Sequence, residues 1–179
     1  YGADIQRLQI NLMKYGENGM YNNYLNMLWK ENNPDGNALH WIFSKNSLLS
    51  NSGDQKQQKE FLKELIKVVH DINLPDSNGI TPLMLAIKNK HIEGIELLLE
   101  HPKIKIGQLD YCNRTILHHL FEDTYLSQEE LKGTREKRLD ILETIQDKIK
   151  NVNDAADIIN TKSSLLKTPV ELAYKHNDL

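Results

Sequence analysis

The segment DSNGITPLMLAIKNKHIEGIELLLE, from Asp76 to Glu100, leaves this chain few ways to fold. Asp76 and Gly79 bracket a tight turn, because an Asp side chain bonds its own backbone and Gly takes backbone angles closed to other residues. Thr81 followed by Pro82 is a helix start: Thr serves as N-cap, and Pro sits at the first helical position, where its missing N–H costs nothing. Leu83, Ala86 and Ile87 fall at i, i+3 and i+4, which predicts one apolar stripe on a helix of about two turns. A helix that short does not stand alone. Ile92, Ile95, Leu98 and Leu99 supply a second stripe after a brief link, so the spacing predicts two antiparallel helices packed together, closed by Pro102.

Such a unit must stack on neighbours to bury its apolar faces, so its recurrence decides the fold. Asp110, Asn113, Thr115, Leu117 and His118 repeat the frame of Asp76, Gly79, Thr81, Leu83 and Met84, and 34 positions separate Leu83 from Leu117. Asn113 tolerates the left-handed backbone expected of Gly79. Upstream, Leu39 and His40 stand in the same frame behind the turn residues Asn32 to Asp35, 44 positions before Leu83 and Met84. That longer offset implies an insert over the polar stretch 46–58, after which Phe61, Leu62, Leu65, Ile66 and Val69 predict an amphipathic second helix. Downstream, Thr168-Pro169 with Leu172 and Ala173 opens another unit, 53 positions on. The charged stretch 124–138, ahead of a helix carrying Leu139, Leu142, Ile145 and Ile149, accounts for that offset. Residues 163–166 lack the Asp and Gly of the other turns, and Leu179 comes before a second helix can form.

Thr81-Pro82-Leu83 with Ala86, then His91-Ile92-Glu93 and Leu97-Leu98-Leu99, resembles the ankyrin repeat. The resemblance implies an all-α ankyrin-repeat solenoid of about four helix-loop-helix units, over residues 32–75, 76–109, 110–162 and a truncated 163–179. Residues 1–31 match no unit, but Ile5, Leu8 and Leu12, then Tyr24, Met27 and Leu28, have the helical spacing of an N-terminal cap or a linker to a preceding domain. The resemblance is strongest from Asp76 to Leu120. It further implies that His40 and His118 hydrogen-bond neighbouring backbone, a pattern from which Met84 and Glu171 depart.

Function expected from the resemblance is protein binding through the concave face of hairpin tips and first helices. In the central units that face comprises Ser77, Asn78, Ile80, Lys88 and Asn89, then Tyr111, Cys112, Arg114, Glu122 and Asp123. The flanking units offer Asn33, Pro34, Gly36, Ser44 and Lys45, and Ser164, Leu165, Lys167, Lys175 and His176. Tyr111 and Arg114 belong to the side-chain types that anchor interfaces, so they are the foremost candidates, expected to serve binding rather than stability. A second expectation is that the chain is the targeting tail of a multidomain enzyme, since it starts at Tyr1 without an initiator Met and its last unit is incomplete. Its irregular inserts and its Asn, Lys and Ile usage resemble ankyrin-containing effectors of intracellular bacteria, which would place it in a host cytosol.

Other chemistries find little support. A formal charge of −3 gives no broad positive field for nucleic acid. Hydrophobic residues at 39% and charged residues at 26% describe a folding, soluble chain, with no apolar run long enough to cross a membrane. The single Cys112 rules out an internal disulfide and suits a reducing, cytoplasmic setting. Cys112 with His118 and Asp110 hints at a thiol nucleophile, but a turn residue and a helical one need not meet, and no oxyanion site is evident. Adjacent His118 and His119 point about 100° apart on a helix and cannot share a metal ion. Trp29 and Trp41, flanked by Leu and Ile, read as core. No phosphate loop or zinc signature appears, so neither a cofactor nor a small-molecule substrate is expected.

Overall fold

The computed structural model describes residues 36–44, 55–69, 71–122, 128–150 and 155–175. The proposed N-terminal cap over 1–31, with Trp29, lies outside them, as do Asn33, Pro34, Lys45, Asp123 and His176. Eight helices are seen among the described residues: α1 (Ala38–Phe43), α2 (Gln55–Val68), α3 (Pro82–Lys88), α4 (Ile92–Glu100), α5 (Ile116–Phe121), α6 (Gln128–Lys150), α7 (Ala155–Asn160) and α8 (Pro169–Lys175). No strand occurs among those residues.

The helices form two rows. In the first, α1 packs on α3, α3 on α5, and α5 on α8; in the second, α2 packs on α4 and α4 on α6. The rows join where α3 folds back on α4, and α7 sits against α5, α6 and α8. First-row helices are six or seven residues long, so their stability comes from the apolar residues they bury between the rows. Leu39, Met84, Ile87, Leu98, Leu120 and Ile145 are all wholly buried there.

Close approach between units shows at Gly94 in α4. A Cβ there would run into the Phe43 ring of α1, which itself meets the His91 ring edge-on with centroids 5.3 Å apart. The polar stretches read as inserts are partly helical: α2 already starts at Gln55, within 46–58, and α6 extends back to Gln128, within 124–138. Arg138, the last residue of that charged stretch, is 1% exposed on α6. Apolar periodicity could not mark α6 before Leu139, because its amino-terminal turns carry charged residues.

Candidate functional site

Hairpin tips precede α3, α5 and α8, and the three share one hydrogen-bonding scheme. Asp76, Asp110 and Ser163 donate their N–H to Ile80, Arg114 and Lys167 carbonyls at 2.9, 3.1 and 2.9 Å. Gly79, Asn113 and Leu166 donate back to the Asp76, Asp110 and Ser163 carbonyls at 2.9, 3.0 and 2.8 Å. All three of the latter residues have positive φ, of 78°, 56° and 59°. Gly79 and Asn113 thus take the left-handed backbone their chemistry favours, while Leu166 takes it at a steric cost. The two Asp residues reinforce their turns: Asp76 Oδ1 accepts from Asn78 and Ile80 N–H, and Asp110 Oδ1 accepts from Cys112 and Arg114 N–H, all within 2.8–2.9 Å. The final tip closes in the same way with neither Asp nor Gly.

Successive tips are tied side by side. Tyr111 N–H donates to the Asn78 carbonyl at 3.0 Å, and Ser164 N–H donates to the Cys112 carbonyl at 2.7 Å. Tyr111 also lies across Gly79, where an added Cβ would sit 2.7 Å from the ring.

A second set of ties starts at the helix caps. Asn37, Thr81, Thr115 and Thr168 precede α1, α3, α5 and α8, and the residue three positions on reaches back to each cap N–H. His40 Nδ1 accepts from Asn37 N–H at 3.1 Å, Met84 Sδ from Thr81 at 3.5 Å, His118 Nδ1 from Thr115 at 3.0 Å, and Glu171 Oε2 from Thr168 at 2.7 Å. Because each imidazole accepts at Nδ1, its proton sits on Nε2. His40 then donates to the Ile80 carbonyl at 2.8 Å and His118 to the Lys167 carbonyl at 2.9 Å, each reaching into the following unit. A thioether and a carboxylate have no such proton to give. Burial lowers the pKa of both histidines, against the raising effect of those carbonyl bonds.

Beside the third tip lies a buried polar cluster. Asp110 Oδ2 accepts from Arg114 Nε at 2.6 Å and from His119 Nε2 at 3.0 Å, and Arg114 NH1 bonds both Glu122 oxygens at 2.8 and 2.6 Å. The side chains of His119 and Asp110 are fully buried, that of Arg114 is 20% exposed, and that of Glu122 is 31% exposed. Burial alone would raise the Asp110 pKa, but the Arg114 N–H, its guanidinium and the Cys112 N–H outweigh it and hold the carboxyl below its usual range. His119 is lowered to about 4, first by burial and then by the charge of Arg114. It is therefore neutral near pH 7. Among the described residues its Nδ1 has no hydrogen-bond partner, and it stands 4.0 Å from Glu122 Oε2.

The expected interface residues accordingly divide into two groups. Ser77, Asn78, Tyr111 and Cys112 are exposed on the tips, Tyr111 at 73%. Ile80 is 8% exposed and packed into the core, so its side chain does not lie on an open face. Asn89 caps α3 and donates its side-chain amide to the Phe43 carbonyl at 2.6 Å, and Lys88 is half-buried beside it. Arg114, expected to serve binding without serving stability, is instead tied to two carboxylates. Its sequence neighbourhood gives a hint of this, since Asp110 is four positions before it on the same hairpin. The cluster's other members, His119 and Glu122, come from the far end of α5, and only folding reveals the meeting.

No nucleophile and base come together at Cys112. The sulfur is on an exposed tip, while both nitrogens of His118 are bonded, to Thr115 N–H and the Lys167 carbonyl. Among the described residues no group of three or more His, Cys, Asp or Glu side chains is arranged to hold a metal ion, and no helix is long and apolar enough to cross a membrane. Trp41 is half-buried against the core.

Two rows of paired helices, with the tips before α3, α5 and α8 tied side by side, define an all-α solenoid of stacked repeats. A family model described as ankyrin repeats (3 copies) matches residues 12–108 and, overlapping, 49–126. The chain belongs to the ankyrin repeat family. Members of this family generally mediate protein–protein interaction and are typically non-catalytic.

Proposed function

We propose that the exposed tips of the second and third units, with the margin of the first-row helices behind them, bind a partner protein. The observation that carries this reading is a fixed backbone with changing side chains. One tip position is Asn78, Cys112 and Leu165 in turn, exposed each time, on turns of the same hydrogen-bonding pattern. Rigid backbone under variable exposed side chains lowers the ordering cost of recognition. Tyr111 offers a large amphipathic ring at the centre of this row. Behind the tips, Lys88 ends α3 and Glu122 caps α5, one residue of each charge.

The test is affinity capture with the intact chain, comparing wild type with a Tyr111→Ala, Asn78→Ala double variant and quantifying each captured protein. A partner bound by the wild type should be lost from the variant, while the helical signal and melting temperature stay close to wild type. Undiminished capture would remove these tips from the interface.

A further inference from the structure

Asn78 and Gly79 form an Asn–Gly pair, the dipeptide in which a neighbouring backbone nitrogen most readily attacks a side-chain amide, because glycine puts no side chain in the way. We infer that Asn78 is a site of spontaneous deamidation, and that the second tip holds the reaction in check until the tip opens. The Gly79 nitrogen attacks Asn78 Cγ and loses its proton to solvent; the side-chain nitrogen leaves as ammonia, closing a cyclic imide. Water then adds to one of the two imide carbonyls, giving either aspartate or its backbone-extended isomer, isoaspartate.

The tip opposes each stage of this sequence. Gly79 N–H, the group that must be deprotonated, donates to the Asp76 carbonyl at 2.9 Å. Asn78 N–H donates to Asp76 Oδ1 at 2.8 Å and its carbonyl accepts from Tyr111 N–H at 3.0 Å, so the peptide planes on both sides of the reacting carbon are pinned. The Tyr111 ring covers Gly79. The Asn78 side chain itself is exposed, so water and base reach it once the backbone is released.

Conversion has a structural consequence. Isoaspartate inserts a methylene into the main chain, displacing the carbonyl that Tyr111 bonds and cutting the tie between the second and third tips. Either product puts a negative charge among the exposed residues of the tip row. A surface turn of this size is a low-stability unit, so its opening need not wait for global unfolding.

The chain's own composition supplies a control. Asn113 is exposed on the third tip but followed by Arg114, whose side chain obstructs imide closure. Asn18–Gly19 repeats the reactive dipeptide elsewhere and is read as a separate peptide.

The experiment incubates the intact chain at neutral to mildly alkaline pH, digests it, and follows the mass gain of amide-to-acid exchange and isoaspartate at each Asn. It is run on folded wild type, on wild type in urea, and on Asp76→Ala, which removes the side-chain anchor; helical signal is monitored throughout. Asn78 should convert in all three, about tenfold more slowly in the folded wild type than in urea, with Asp76→Ala in between while still helical. Should Asp76→Ala lose its helical signal, the folded and unfolded wild-type rates decide alone. Equal rates in those two states, no conversion of Asn78 in urea, or equally fast conversion of Asn113 would overturn the inference.

Discussion

Lowering the pH should destabilise this fold through one residue more than any other, and the size of the effect follows from its surroundings. His119 has a fully buried side chain and a pKa of about 4, against 6.5 for an unperturbed histidine. A histidine whose folded pKa is depressed keeps its full contribution above the unfolded value and loses it as pH falls, because the unfolded chain takes up the proton first. At about 1.4 kcal/mol per unit, linkage predicts a loss of about 2 kcal/mol at pH 5 and about 3 kcal/mol at pH 4, nearly all of it below about pH 6.5. The matching positions of α3 and α8 hold Leu85 and Leu172, so His119→Leu places in the third unit the side chain its neighbours already use. Urea denaturation of wild type and variant at a series of pH values isolates the effect. Carboxylates and other histidines titrate in both proteins and cancel in the difference. The variant's stability relative to wild type should rise by about 2 kcal/mol between about pH 7.5 and pH 5. Parallel loss of stability in the two proteins would refute the account of His119 as a buried neutral group.

Three further perturbations follow from the geometry. Arg114→Ala leaves the buried Asp110 carboxylate without its cation and should cost about 2–4 kcal/mol by denaturant melting; a change below about 0.5 kcal/mol would mean the ion pairs are inert. Leu166→Asn replaces a 73% exposed leucine at φ 59° with a residue suited to that backbone, and should stabilise by roughly 0.5–1 kcal/mol, visible as a raised melting temperature. His118→Phe strands the Thr115 N–H and the Lys167 carbonyl together, with an expected loss of about 2–4 kcal/mol and faster hydrogen exchange at the last tip.

Sequence periodicity reveals those parts of the fold whose physics is local. Thr81 and Pro82 mark the start of α3 because capping is settled within one turn of helix. Asn113 announces its left-handed backbone for the same reason. Leu166 does not, since nothing in its own chemistry asks for positive φ; the tip closes there because Ser163 and Lys167 bond across it and Ser164 pairs with Cys112. The first half of α6 lacks an apolar stripe and stays hidden for want of periodicity.

The candidate site was legible in outline only. Exposure of Ser77, Asn78, Tyr111 and Cys112 follows from tip geometry, which the turn residues declare. Burial of Ile80 and capture of Arg114 by Glu122 depend on which residues the far ends of helices bring alongside, and spacing carries no record of that.

The imidazole bridges also make the seams of the stack unlike one another. The seam between the first and second units is pinned by His40 and that between the third and fourth by His118, while Met84 stands at the same position over the middle seam and has no proton to offer. Both bridges require a neutral ring that accepts at Nδ1, so protonation of either histidine breaks the tie at its own seam, while the central seam has no imidazole bridge to lose. Acid therefore meets the stack at three separate places: the His40 bridge, the His118 bridge and the buried His119 cluster on α5.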